Sequence, residues 1–301
     1  MLLLCNNSCV ITQKGLKMVR KKGKTISVAN EKGGVTKTTT CRMLADIYLE
    51  KGLKVLMIDF DPQASLTKGY KLDPKSFQGT SSHNICNIFK KEAVSAIAIK
   101  SDYGSLHLIP SNKELKTLGQ TSVIGKDLIL KRFIKQHNLK EQYDVIIIDN
   151  NPKFDTATIS AILAADILLI PVVTAKDEQE GLHGFIEDAE ETLQMFDHKI
   201  EKICVLPTKY DKKTKVGKIY KKIIEDETIP FIEKNCPILS QAKNIILSTL
   251  PESIAFKDAA SYNISVYNYL KEHGNMSSMK KEKRIALLQK IEDIAENILK
   301  A

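Results

Sequence analysis

The chain has six cysteines but no C-x-x-C pair, and six histidines but no H-x-x-x-H pair. Those gaps argue against a zinc site, a disulfide frame and a histidine metal centre. Cys41 and Cys204 sit in apolar stretches, the pattern of free thiols in a reducing, cytoplasmic setting. No apolar run approaches the roughly 20 residues a membrane-spanning helix needs. The opening MLLLC is shorter than a signal-peptide core and has no positive segment before it. No Trp or Phe follows Phe256, so the C-terminal end lacks the bulky aromatics that membrane-surface helices carry.

What is present is ordinary in bulk and unbalanced in charge. The 301 residues are 43% hydrophobic, enough for a sizeable core, and Lys plus Arg (45) exceed Asp plus Glu (36) for a net charge of +9. A basic chain of this kind favours anionic partners such as nucleic acid or a lipid surface. Residues 1–23 have little periodicity, and KGLKMVRKKGK (Lys14 to Lys24) holds six basic residues and no acid. That pattern fits a solvated flexible arm, with an auxiliary DNA-binding arm as the alternative.

From Thr25 the pattern is regular. TISVAN, KVLMIDF, SLHLIP, YDVIIID, DILLIPV and KICVLP read as strands, separated by helix-length segments such as Thr38 to Lys51, with Cys41, Leu44, Ile47 and Tyr48 at helical spacing. Continuous apolar runs such as VIIID suit strands buried on both faces. The alternation predicts one α/β domain over 24–270 with a mostly parallel sheet flanked by helices. Beyond it, 271–301 reads as a polar linker and an amphipathic helix, with Ser278 as a plausible N-cap and Ile285, Leu288, Ile291, Ala295 and Ile298 on one stripe.

Between the first strand and the first helix lies VANEKGGVTKTTT (Val28 to Thr40). Unpaired N–H groups at a helix N-terminus bind phosphate oxygens. Gly33 and Gly34 remove side chains that would hold the backbone off, Val35 and Thr36 complete the turn, Lys37 supplies a cation for β- and γ-phosphates, and the Thr38 hydroxyl suits Mg²⁺. The common G-x-x-x-x-G-K-[ST] pattern nevertheless fails, because Glu31 and Thr36 occupy its glycine places.

K-G-G-x-x-K-T-T, Lys32 to Thr39, resembles the deviant Walker A loop of the ParA/MinD family of ATPases, including ParA/Soj-type DNA-partitioning members. The resemblance implies a P-loop NTPase fold of the SIMIBI-like kind, with ATP and Mg²⁺ as cofactors. It implies that Lys32 reaches the phosphates of the other subunit's nucleotide in an ATP-sandwiched homodimer. Thr36 departs from the family's usual glycine. A β-branched residue tolerates φ > 0 poorly, so such a conformation would bring strain or slow turnover. VLMIDFDPQASLT (Val55 to Thr67) resembles the family's LLIDxDPQxxxT stretch, which makes Asp61 the residue positioning the attacking water and Asp59 an organiser of magnesium-bound water and lysine. YDVIIIDNNP resembles the Walker B strand, with Asp149 acting through water on Mg²⁺; Asn151 stands where the family commonly has proline. VLPTKYDKKTK (Val205 to Lys215) looks like a segment near the adenine base in relatives, which points to Pro207 and Asp211 as base contacts.

The same region carries a basic run. Lys209, Lys212, Lys213, Lys215, Lys218, Lys221 and Lys222 stand against one acid, Asp211. Lysines meet phosphates without reading bases. Together with the resemblance, the run implies a cytoplasmic, nucleoid-associated ATPase for plasmid or chromosome segregation. The resemblance further implies that a dimer binds non-specific DNA and that a ParB-like partner stimulates an otherwise slow hydrolysis. The alternatives are a MinD-like membrane-associated positioning ATPase, supported by the terminal amphipathic helix, and an ATP-binding switch with weak hydrolysis. A cluster shared through Cys86 and Cys236 is a further, weaker reading.

Overall fold

The computed structural model describes residues 22–79, 81–118, 123–175, 178–272 and 279–300. Eight strands form one sheet: β1 (Lys24–Val28), β2 (Val55–Phe60), β3 (Ile97–Ser101), β4 (Gly104–Ile109), β5 (Val145–Asn150), β6 (Ile167–Val173), β7 (Lys202–Thr208) and β8 (Lys243–Ile246). Their order is β3-β4-β2-β5-β1-β6-β7-β8. Only the β3–β4 hairpin pairs antiparallel; every other pair is parallel. The expected single α/β domain with a mostly parallel sheet is what the chain forms.

Helices fill the crossovers. They are α1 (Lys37–Glu50), α2 (Ser65–Gly69), α3 (Asn87–Lys90), α4 (Glu114–Leu118), α5 (Ile129–Gln136), α6 (Leu139–Gln142), α7 (Thr156–Ala164), α8 (Glu178–Met195), α9 (Lys215–Asn235), α10 (Ile254–Tyr262), α11 (Val266–Glu272) and α12 (Lys281–Leu299). Because strand side chains alternate between faces, each central strand feeds two cores. Ile26, Met57, Val145, Ile147, Leu169 and Cys204 face α1, α11 and α12. Leu56, Ile58, Ile146 and Ile148 face α5 and α7, while Leu168, Ile170, Ile203 and Val205 face α8 and α9. Burial on both faces explains why these strands read as unbroken apolar runs.

The terminal helix belongs to the first of these cores. Leu287, Ile291, Ile294, Ala295 and Ile298 are buried, and Leu288 packs against them. The Tyr48 hydroxyl donates to the Ala295 carbonyl at 3.0 Å, and Lys51 pairs with Glu296 at 2.5 Å. The stripe is thus rotated from the one the spacing predicts: Ile285 is 53% exposed, because the helix settles between α1 and α11 along its 287–291–294–298 edge. Its N-cap is Lys280, with no side-chain cap bond; Ser278 lies outside the described residues, as do residues 1–21 of the basic arm with Cys5 and Cys9. The four described cysteines are buried free thiols. Cys86 and Cys236 lie in different cores, and burial pushes their thiols up to about 12 and about 11, which fits neither a shared cluster nor a reactive thiolate. No helix of the described residues is long and apolar enough to cross a membrane.

Candidate functional site

Parallel strands that stop together leave a crevice at their carboxyl ends, where open α/β sheets take ligands. Here β1 runs into the loop ahead of α1, and β5 beside it and β2 on the far side of β5 bring acids to the same level. The register pairs Val28 with Asp149 and Asp59 with Asp149. Asp59 continues the Val55–Met57 alternation and Asp149 the Val145–Ile147 alternation, so both carboxyls point to the α1 side of the sheet. A cavity of about 620 Å³ opens at this end of the sheet, lined by Thr38, Asp61 and Asn150 among others, within the usual size of a small-ligand site.

The loop lines this cavity and is wound through two left-handed residues. Gly34 has φ +76° and Thr36, the N-cap of α1, has φ 75° and ψ 18°. Glycine adopts the left-handed region freely; threonine does so at a cost, and the Thr36 hydroxyl oxygen is buried without a hydrogen-bond partner. Lys37 lies inside the turn, its Nζ donating to the carbonyls of Asn30 and Lys32, both at 2.9 Å. Burial pulls the Lys37 ammonium below its ordinary pKa, against the opposing pull of Asp149 and Asp61. Gly33, Gly34, Thr36, Lys37, Thr38 and Thr39 line the cavity, whereas Val35 is buried beneath it.

The acids have distinct surroundings. The Thr38 hydroxyl donates to Asp149 Oδ2 at 2.7 Å, while Asp149 Oδ1 is a buried acceptor with no partner. Burial, reinforced by the neighbouring Asp59 carboxylate, pushes Asp149 up to about 8. An orphaned carboxylate oxygen beside a hydroxyl, in a site that raises the carboxyl's pKa, is the donor set a small hard cation takes. Mg²⁺ commonly takes one or two carboxylates and fills the rest of its shell with water and phosphate oxygens. That economy agrees with the lack of any cluster of three His, Cys, Asp or Glu in ligating arrangement among the described residues.

Asp59 is fully buried and lifted to about 7 by burial. Its oxygens accept from the Thr67 N–H at 2.8 Å, the Thr67 hydroxyl at 2.6 Å and the Asp61 N–H at 3.2 Å. Those bonds clamp the 61–67 turn and so fix Asp61. Asp61 lines the cavity and accepts from the Gln63 N–H at 2.8 Å; burial raises its pKa, with Gln63 and Lys37 opposing. Asn151 secures the loop after β5 through its side chain: it donates to Asp155 at 2.8 Å and accepts from Lys153 N–H and the Thr158 hydroxyl, both at 3.1 Å. An amide network thereby does the work of a rigid proline turn.

Lys32 does not line the cavity and packs its side chain against Gly181 of α8. Its N–H donates to the Asn30 side chain at 3.0 Å, and its ammonium lies 3.3 Å from Glu178 at the head of α8. Pro207 and Asp211, expected from sequence at the base, are not among the residues that line this cavity. Pro207 is buried in β7 with its carbonyl holding Leu250 N–H at 2.8 Å, and Asp211 caps the turn into α9, accepting from Lys213 N–H at 2.9 Å. The wall beside the loop is instead made by Thr208, Lys209, Leu250, Pro251, Ser253 and Phe256.

The basic run divides. Lys209 is at the cavity. Lys221 pairs with Glu225 at 2.5 Å and lies over the Tyr210 ring. Lys212, Lys213, Lys215, Lys218 and Lys222 are exposed, and the last three follow one another along α9, whose first turn Thr214 caps through Gly217 N–H at 3.0 Å.

The family model AAA_31, described as an AAA domain, matches residues 23–202, more than half of the chain. The chain belongs to that family. The AAA_31 chain has among its relatives the chromosome-partitioning ATPase Soj of Thermus thermophilus, 29% identical over 198 residues that span 65% of this chain and 74% of that one. A putative plasmid partition protein of Borrelia burgdorferi, solved with AMPPNP bound, is 26% identical with a TM-score of 0.65, covering 92% of this chain and 99% of that chain. McdA of Cyanothece, at 23% identity and a TM-score of 0.70 over 92% of this chain and 99% of that one, shares the fold. The ParA/Soj resemblance read from Lys32 to Thr39 is borne out.

Proposed function

We propose that this chain is an Mg²⁺-dependent ATPase of DNA partitioning, working as an ATP-dependent homodimer on non-specific DNA with a ParB-like partner. The observation that carries the catalytic half is the juxtaposition of Lys37, the Gly33–Gly34 loop and the Thr38–Asp149 pair at the carboxyl ends of β1, β2 and β5. The AMPPNP-bound Borrelia relative and the Soj ATPase support the same reading.

In this account the loop N–H groups and Lys37 bind the β- and γ-phosphates; Lys37 exchanges its two carbonyl partners for phosphate oxygens. Thr38 and Asp149 would hold Mg²⁺, which would supply positive charge against the phosphates. Asp61, fixed by the Asp59–Thr67 clamp, orients the attacking water. Lys32 of a second copy adds positive charge at the transferred phosphoryl, which requires it to leave Glu178. Catalysis of this kind rests on positioning and charge stabilisation. The wall formed by Thr208, Leu250, Pro251 and Phe256 suits an adenine ring.

For the DNA half, the five exposed lysines around the start of α9 form a positive surface beside the cavity, so loop ordering by ATP and dimerisation can alter its presentation. The apolar edge of α12 is consumed by the core, which disfavours a membrane-surface role for it. A second reading, a nucleotide switch with weak hydrolysis, is favoured by one observation, the left-handed Thr36. ATP-dependent retention on random-sequence duplex DNA, falling steeply with salt, together with magnesium-dependent phosphate release, tests the proposal. ATP binding with no phosphate release under any condition supports the switch; ATP-dependent binding to anionic vesicles instead of DNA removes the partitioning role.

A further inference from the structure

The turn after β7 holds a lysine that its neighbours in sequence associate with DNA and its neighbours in space do not. β7 ends at Thr208, and Lys209 takes φ 51°, a left-handed conformation uncommon for lysine. Backbone bonds on both sides fix that turn. Leu250 N–H donates to Pro207 at 2.8 Å, Tyr210 N–H to Leu250 at 3.1 Å and Glu252 N–H to Tyr210 at 2.9 Å, and Tyr210 and Pro251 form a parallel bridge. The chain is therefore anchored before and after Lys209, and the side chain between is directed over the phosphate loop. Its Nζ lies 4.0 Å from where a Cβ on Gly34 would stand.

The charge there is available. No ion pair to Lys209 forms among the described residues, and Glu252 on the same wall is engaged with Lys257 at 3.8 Å. Gly34 presents bare backbone at the point of approach, so an anion seated on the loop would be open to this ammonium. From this geometry we infer that Lys209 is a nucleotide-contacting residue, a cis ammonium that binds phosphate from the β7 wall while Lys37 binds it from within the loop. The inference rests on the nucleotide-site reading above, and it removes Lys209 from the DNA surface.

Titration of ADP and ATP with Mg²⁺, and of adenosine as a phosphate-free probe, against the wild-type chain, Lys209→Met and Lys209→Arg separates the possibilities. Lys209→Met is expected to weaken ADP and ATP by about tenfold, the scale of one charge-assisted bond at a partly solvated site. Adenosine should be unaffected and Lys209→Arg should recover most of the loss. At saturating ATP, Lys209→Met should hold random-sequence DNA at the wild-type salt concentration. Equal ADP and ATP affinity in wild type and Lys209→Met overturns the inference alone. An equal loss for adenosine overturns it by assigning Lys209 to pocket shape, and lost DNA retention with intact ATP affinity overturns it by returning Lys209 to the DNA surface. A wild-type chain that binds neither nucleotide overturns the nucleotide-site reading and this inference together.

Discussion

Thr36 offers a quantitative test of the loop geometry. Its φ of 75° is a conformation that costs an L-residue about 1–2 kcal/mol. Its hydroxyl oxygen is also buried without a partner, a further penalty of about 1–3 kcal/mol. Thr36→Gly relieves both and adds back about 0.5–1 kcal/mol of backbone entropy lost on folding. The nucleotide-free variant should therefore be more stable by about 2 kcal/mol, which for a chain of this size is a rise of about 4 °C in Tm. Thr36→Ala removes the hydroxyl but keeps the Cβ, so it should rise by roughly half as much. The chain has no tryptophan, so calorimetry or far-ultraviolet circular dichroism is the natural assay. An unchanged or lower Tm for Thr36→Gly refutes the strain. Equal gains for the glycine and alanine variants refute its backbone origin and leave only the hydroxyl. If strain also slows turnover, Thr36→Gly should release phosphate several-fold faster.

Further outcomes follow from the acids and the basic face. Asp149 is raised to about 8 and Asp59 to about 7 in the nucleotide-free fold. A raised carboxyl holds a proton that the unfolded chain has already lost, so stability falls as pH rises from the ordinary carboxylate range through about 8. Asp149→Asn removes the part of that dependence due to Asp149 and leaves that of Asp59, so its Tm advantage over wild type should grow between about pH 5.5 and about pH 8.5; parallel curves would contradict the assigned burial. Asp61→Ala should trap an ATP-bound dimer, visible by size-exclusion chromatography with ATP, and rapid hydrolysis by that variant would exclude its role. Lys215→Glu, Lys218→Glu and Lys222→Glu together should weaken DNA retention at least tenfold and flatten its salt dependence. ATP affinity should stay unchanged, and undiminished retention would move the DNA surface elsewhere.

Much of the fold was legible because β2, β5, β6 and β7 carry long apolar runs forced by burial on both faces, and the β-branched TISV and the apolar LHLI mark β1 and β4. The two missed strands, β3 and β8, are the sheet edges. β3 alternates half-buried and exposed residues, and β8 has four residues with none buried, so neither bears the pattern of a central strand. The phosphate loop, Asp61 and Asp149 were legible because they sit at strand ends in sequence order. The cavity wall from 250 to 256 was not, because it is brought to Thr208 and Tyr210 by a backbone ladder across about forty residues of intervening chain. Lys209 was grouped with its sequence neighbours for the same reason: a single left-handed residue reverses where a side chain points and leaves no trace in composition. The α12 stripe was found as a helix face but displaced in phase, since Ile285 and Leu287 are equally apolar and only packing against α1 and α11 chooses between them.

We assign Lys37 within this loop to the phosphates of ATP, beside a magnesium site at Thr38 and Asp149. Calorimetric titration of ATP with and without Mg²⁺, on the wild-type chain and Lys37→Ala, tests it most directly. Wild type should bind ATP saturably and more tightly with Mg²⁺, and Lys37→Ala should show no binding. Equal binding by both proteins, or none by wild type, would contradict it.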